Sequence, residues 1–304
     1  MGAAVERSSP VSNVFGSTAK PFFSIVIASV ERTDTVATLL DSLLSQRFRD
    51  FETIIVDQNP DDRLGPVTDR FQSCLPLQRI RQTVQNASLA RNAGARIAAG
   101  EWLVFADDDC HYHPETLSDA AAAIESLRPQ VLAGSIVYQD GTKLSAYFQG
   151  RGALTTLTVL TRLFESCLFF KRDAFLKLGG FDSEFGPGAL FHACEGPDLL
   201  YRFLRTCPYG AAWFDASIYC FHPRKIPPYD AAAVERGRLY ALGRGALAAT
   251  HPNLANLTLF GASLARNLAY AALFGGTRRV YHLSRIRGFC EGFRRRYRQQ
   301  AVKT

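Results

Sequence analysis

The stretch EWLVFADDDCHYHP, Glu101–Pro114, decides the reading of this 304-residue chain. Its first half, Trp102–Ala106, is an unbroken apolar run of strand length, fit for a sheet covered on both faces. Where that strand ends, three carboxylates stand side by side: Asp107, Asp108 and Asp109. Like charges a few ångströms apart raise one another's pKa and destabilise the site that holds them. Such a cluster calls for positive charge to offset it. On an extended segment, side chains two residues apart point the same way, so Asp107 and Asp109 can face one cation. Hard oxygen donors suit Mg2+ or Mn2+, which keep open positions for phosphate oxygens. The competing reading is a solvated acidic turn that caps the next helix through Asp108 or Asp109.

Outward from this strand the chain alternates strand and helix signals. FFSIVIASV (Phe22–Val30) is an apolar, β-branched run, and DTVATLLDSLLSQ (Asp34–Gln46) has leucines at helical spacing with Asp34 as a candidate N-cap. FETIIVD (Phe51–Asp57) reads as a second strand and LQRIRQTV (Leu77–Val84) as a weaker third. NASLARNAGARIAAG (Asn86–Gly100) reads as a helix stopped by Gly100. This alternation predicts an α/β fold with a mostly parallel, Rossmann-like central sheet flanked by helices. In such sheets ligands bind beyond the carboxyl ends of the strands, and Ser29, Asp57 and the aspartate trio all fall there. Further on, Leu163–Gly186 reads as a strand, a short helix and a Gly-Gly turn. Glu195–Thr206 reads as a helix entered through Pro197, and Ala211–Pro223 as a closing strand. The chain then turns Ala-, Leu- and Arg-rich. The expected organisation is an N-terminal tail over residues 1–20, a catalytic domain over 21–228 and a basic amphipathic helical C-terminal region over 229–304.

Apolar residues make up 47% and charged residues 21%, the balance of an ordinary globular protein. The seven cysteines show no CxxC pair or regular spacing, and the first twenty residues lack an apolar run long enough for secretion. Both point to reduced thiols in the cytoplasm. Charge is unevenly spread. Residues 231–304 hold thirteen Lys/Arg against two Asp/Glu, a local charge of +11 that leaves −4 for the rest of a chain at +7. From Leu254 to Phe274, Leu257, Phe260, Leu264, Leu268 and Ala271 share one helical arc, and Asn256, Ser263, Arg266 and Asn267 the opposite one. Arg266, near the middle, makes a spanning helix costly, by about 2.5–3.5 kcal/mol. An in-plane interfacial helix, or one packed on the catalytic domain, is the expectation. The arginines that follow, interleaved with aromatics, suit an anionic membrane surface. No nucleic-acid recognition motif accompanies them. The resulting localisation is cytoplasmic, peripheral on the cytoplasmic face of the membrane.

FSIVIASVERTDTVATLLDSLLSQRFRDFETIIVDQN, then NASLARNAG, then GEWLVFADDD resemble, in order and spacing, the inverting family 2 glycosyltransferases with the A-type glycosyltransferase fold. The likeness covers about residues 22–225. It implies that Asp107 and Asp109 hold a divalent cation on the diphosphate of a nucleotide sugar, with Asp108 near the ribose or sugar. It implies that Asp57 meets the nucleobase, that Arg91 lies close to the nucleotide and that Ser29 belongs to the turn facing the base. Where the family often has PTYN this chain has ASVE, so Val30 replaces an aromatic residue. A carboxylate at Asp57 suits the imide N–H of uracil or thymine, which points to UDP- or dTDP-type donors.

Where the family commonly shows GEDxDL this chain has CEGPDL, with Gly196 in place of the second acid. An inverting transfer needs one carboxylate to take the acceptor hydroxyl's proton. Glu195 and Asp198 are the candidates, Glu195 being favoured by the glycine beside it. His222, after the closing strand, is the expected third metal ligand, as in some relatives. The resemblance thus implies a metal-dependent transferase, hexosyl- or deoxyhexosyl-type, acting on a glycan or lipid-linked hydroxyl in polysaccharide biosynthesis. The alternatives are a sugar nucleotidyltransferase, for which ASVERTDT lacks the Gly-rich phosphate loop, and a non-catalytic membrane-associated scaffold, suggested by Gly196.

Overall fold

The computed structural model describes residues 20–142, 150–223 and 229–303. The expected N-terminal tail lies outside the described residues but for Lys20, and the expected boundary after residue 228 also falls on undescribed chain. The chain groups into two compact units. The first takes Met1–Thr155, Thr161–Gly180 and Thr206–Arg224; the second takes Thr156–Leu160, Phe181–Arg205 and Lys225–Thr304.

The first unit is built on one sheet. Its elements begin β1 (Phe23–Ser29), α1 (Asp34–Leu44), β2 (Phe51–Asp57), α2 (Gly65–Gln72), β3 (Leu77–Arg81), α3 (Ala87–Ile97) and β4 (Trp102–Asp107). β5 (His111–Tyr112), α4 (Thr116–Leu127), β6 (Val131–Tyr138) and β7 (Arg151–Ala153) follow. After a short α5 (Val159–Arg162) come β8 (Leu168–Lys171) and α6 (Arg172–Lys177), and β9 (Ala212–His222) closes the sheet after α7 (Glu195–Leu204) of the second unit. The strand order is β3-β2-β1-β4-β8-β6-β9-β5, with β7 on β9. From β3 to β4 every pairing is parallel. Beyond β4 the sheet is mixed, because β8 runs antiparallel to both β4 and β6 while β6 and β9 are parallel. The two reversals cancel, so β9 runs with β4 and its C-terminal end lies on the same edge.

The apolar runs form these strands because they are buried on both sides: Ile25, Val26, Ile27, Leu103 and Val104 are all fully inaccessible. α1 turns Val36, Leu39, Leu40 and Leu43 inward, as its leucine spacing predicts. Asp34 does not cap it. Thr33 occupies the N-cap and Asp34 is the first helical residue, a carboxylate in the first turn where the helix dipole favours negative charge. α3 is capped by Asn86, whose Oδ1 accepts from the Leu89 N–H at 3.0 Å, and it ends at Ile97, three residues before the expected stop at Gly100.

The second unit is helical, with α7 joined by α8 (Ala231–Thr250), α9 (Leu254–Leu273) and α10 (Gly276–Lys303). α8 and α10 cross at backbone contact. A Cβ added at Gly292 would fall inside the Leu242 carbonyl oxygen, and one at Gly245 inside that of Phe289. Arg296 of α10 pairs with Asp182 (3.3 Å) and Glu184, so this member of the basic tail is spent inside the unit. α9 corrects the arc drawn from its sequence. Asn256 and Asn267 face inward, Asn256 Nδ2 donating to the Leu247 and His251 carbonyls and Asn267 Oδ1 accepting from His282 Nδ1 at 2.9 Å. Ala271, set on the opposite arc, is buried with them, whereas Leu257 and Leu268 of that arc are exposed. No helix among the described residues is long and apolar enough to cross a membrane.

Candidate functional site

The parallel half of the sheet carries Ser29, Asp57 and Asp107 to one edge, each the last residue of its strand. Direct pairing of β1 with β2 aligns Ser29 with Asp57, and β1 with β4 aligns Ala28 with Asp107. After Asp109 the chain pairs antiparallel with β9, His111 against Phe221 and Tyr112 against Cys220. That register draws the aspartate trio to the end of β9, where His222 waits.

Asp107, Asp109 and His222 offer ligand atoms that all lie within 4.8 Å of one another. His222 Nε2 stands 3.2 Å from Asp109 Oδ1 and 4.0 Å from Asp107 Oδ2. Its Nδ1 lies 2.9 Å from the Pro223 carbonyl oxygen, which accepts the Nδ1 proton and leaves Nε2 to face the carboxylates. Burial lowers the His222 pKa, but Asp109 and the Pro223 carbonyl outweigh it, and the net shift is upward. Two carboxylate oxygens and one imidazole nitrogen converging this closely fit a divalent cation.

Among the described residues, two arginines carry charge that offsets the trio. Arg91, buried on α3, donates from Nη2 to Asp107 Oδ1 at 2.8 Å. Arg32, in the loop after β1, places Nη1 2.8 Å from Asp109 Oδ2 and Nε 3.3 Å from Asp108 Oδ1. Ser29 Oγ donates to Asp108 Oδ2 at 2.9 Å. Burial still dominates at Asp108, and its pKa is pushed up to about 6 despite Arg32 and Ser29.

Arg32 was not singled out from the sequence. The signal was available: a like-charge trio demands a cation, and Arg32 follows the strand adjacent to it. Its placement depends on Glu31, whose backbone is left-handed (φ 58°) and whose N–H donates to Asn59 Oδ1. Such a conformation in a non-glycine residue costs about 1 kcal/mol or more. Asn59 in turn donates from its backbone and Nδ2 to Asp57 Oδ1, at 2.9 and 2.7 Å. Arg79 Nε binds Asp57 Oδ2 at 3.0 Å. Asp57 is therefore fully buried and largely engaged, and a ligand reaching it must displace a neighbour.

Glu195 and Asp198 belong to the second unit, one turn apart at the start of α7. Both are buried. Cys194, just before Glu195, is left-handed (φ 77°). Asp198 is held on both oxygens: Arg202 Nε donates to Oδ2 and His251 Nε2 to Oδ1, each at 2.8 Å. Burial pushes Asp198 up, but His251 and Arg202 outweigh it and hold the carboxyl below its ordinary pKa. His251 lies far along the chain, and nothing local in the sequence marked it.

Three comparisons bear on the chain. The model of glycosyl transferase family 2 matches residues 24–191. An uncharacterized glycosyltransferase of Haemophilus influenzae is 40% identical over 213 residues, covering 66% of this chain and 69% of that protein. A PGL/p-HBAD biosynthesis glycosyltransferase of Mycobacterium bovis is 31% identical over 169 residues, covering 54% of this chain. The chain spans 64% of the length of that mycobacterial relative. Among solved structures, TarS 1–349 of Staphylococcus aureus in complex with UDP-GlcNAc superposes with a TM-score of 0.58 at 16% identity, over 93% of this chain and 92% of that one. Mannosyltransferase PcManGT of Pyrobaculum calidifontis, in complex with GDP-Man and Mn2+, gives 0.61 at 16% identity, over 90% and 88%.

Proposed function

The chain belongs to glycosyl transferase family 2 and has the A-type glycosyltransferase fold, and from that premise we propose that it is a metal-dependent inverting glycosyltransferase. It takes a sugar from a nucleotide diphosphate donor and joins it to a hydroxyl of a glycan or lipid-linked acceptor. Family membership leaves the nucleotidyltransferase alternative without support. The observation that carries the reading is the convergence of Asp107, Asp109 and His222 at the sheet edge.

In this reading Asp107, Asp109 and His222 hold a Mg2+ or Mn2+ ion, which supplies positive charge for the donor's diphosphate. Both structural neighbours were solved with nucleotide sugars, one of them with Mn2+. Arg91 fixes Asp107 through its 2.8 Å bond, so this ligand does not pay for its own ordering when the donor arrives. Ser29 orients Asp108 toward the ribose or sugar. The base, uracil or thymine by preference, is assigned to the edge of β1 and β2. There Asp57 accepts the imide N–H once a neighbour yields.

Glu195 is assigned the general base. It takes the acceptor hydroxyl proton as that oxygen bonds to the anomeric carbon and the bond to the diphosphate breaks on the opposite side. The products are the inverted glycoside, a protonated Glu195 and the nucleotide diphosphate. Asp198 is the weaker candidate because both its oxygens are already engaged. Its role here is to position α7. The membrane partner of the C-terminal region belongs to the same reading.

The test is release of nucleotide diphosphate from a panel of nucleotide sugars, with Mn2+ affinity followed separately by electron paramagnetic resonance. Asp109→Asn should cut both by about a hundredfold or more, since losing even an outer partner of a metal ligand costs ~10–100-fold. Wild-type turnover and Mn2+ binding in that variant would exclude the assignment. A chain that binds nucleotide and never releases diphosphate would instead be a scaffold.

A further inference from the structure

α9 is amphipathic the wrong way round for a helix in water. Its buried positions include Asn256 and Asn267, each hydrogen-bonded within the helical unit. Its outward positions are apolar. Leu254 is 82% exposed, Leu268 56% and Leu273 74%, and Ala262, Ala265, Ala269 and Ala272 face out between them. Of twenty residues in α9, Arg266 alone is charged. A solvated surface helix normally carries charge on this face, and a contiguous exposed apolar surface marks an interaction site.

The surrounding charge identifies what covers it. Between Glu235 and Glu291 the chain has no acidic residue and eight arginines. Arg266, Arg278, Arg279 and Arg287 are exposed. Val280 and Leu283, in the first turns of α10, are exposed as well. An apolar face bordered by cations alone repels a second copy of itself electrostatically and complements an anionic bilayer.

We infer that the outward face of α9, with the first two turns of α10, is a membrane-docking surface that lies in the plane of an anionic bilayer. The leucines enter the acyl boundary and the arginines meet lipid phosphates. Arg266, with no helix among the described residues long and apolar enough to span, makes this an in-plane contact. The inference deepens the transferase reading by favouring its lipid-linked acceptor, and its test contains no sugar donor, so the two can fail separately.

The experiment is co-sedimentation of the full chain with vesicles of phosphatidylcholine alone or mixed with phosphatidylglycerol. Oligomeric state is measured by sedimentation velocity. Wild type should partition onto the mixed vesicles and scarcely onto the neutral ones. Leu254→Ser, Leu268→Ser and Leu273→Ser combined should reduce partitioning about thirtyfold. Arg266→Glu with Arg279→Glu should reduce it about tenfold or more. All five side chains are exposed, so an unchanged thermal midpoint and circular dichroism spectrum are expected. No binding to the mixed vesicles, binding indifferent to the leucine changes, or a solution dimer that those changes dissolve would each overturn the inference. The last outcome would assign the face to a second copy of the chain.

Discussion

Glu195 and Asp198 lie one turn apart on α7, and exchanging each for a neutral residue should be read in a different assay, turnover for the first and stability for the second. Asp198→Ala removes a carboxylate that is 1% exposed and strands its two partners. Arg202 Nε and His251 Nε2 both stand 2.8 Å away. Charge-assisted bonds of this kind contribute about 1.5–3 kcal/mol each, and removing one member of a buried pair costs about 3–5 kcal/mol. The partly exposed Arg202 regains water, which holds the total near that range. The melting midpoint should fall by roughly 6–20 °C. The folded-state pKa of Asp198 lies below its ordinary value, so its contribution is complete at neutral pH and is lost as pH falls through that lowered pKa. Asp198→Asn should therefore melt with a flatter acid limb than wild type. Glu195→Gln should lower turnover by about 10²–10⁴-fold. Thermal melts by circular dichroism at several pH values, beside nucleotide diphosphate release, measure both. An Asp198→Ala variant as stable as wild type, or a Glu195→Gln variant with full turnover, would refute the division of roles.

Three further outcomes follow from packing and charge. Gly292→Val should destabilise by about 1–3 kcal/mol or more, because its side chain enters the Leu242 backbone. Gly261→Ala, in open space on α9, should stabilise by about 0.5–1 kcal/mol in the same denaturation assay. Arg32→Gln removes a cation already seated on Asp108 and Asp109. Mn2+ binding without nucleotide should tighten by roughly fivefold, the worth of a half-exposed ion pair, as read by calorimetry.

Arg32 shows what the cluster required. Three adjacent carboxylates at a strand end need compensation, a demand legible from Asp107–Asp109 alone. The sequence did not say which cation answers it. That depends on Glu31 adopting a left-handed backbone under the hold of Asn59, a residue of the next βα loop. Asp57 is similar. Its place at a strand end follows from the FETIIVD run, but its burial beneath Arg79 follows from the register of β2 with β3.

Periodicity and end-of-strand chemistry were enough to define the alternating strands and helices of the N-terminal half, the edge that gathers Ser29, Asp57 and Asp107, and the excess of cations near the C-terminus. These are local properties, encoded in the spacing of neighbouring residues. The reversal of β8, the seating of Arg32 on Asp109, the capture of Asp198 by His251 and the outward leucines of α9 required the tertiary structure. Each pairs segments far apart in the chain, and which partner a side chain finds there is set by sheet register and helix rotation. A one-residue slip in a strand, or a 100° turn of a helix, exchanges the buried face for the exposed one, and nothing in a single segment chooses between them.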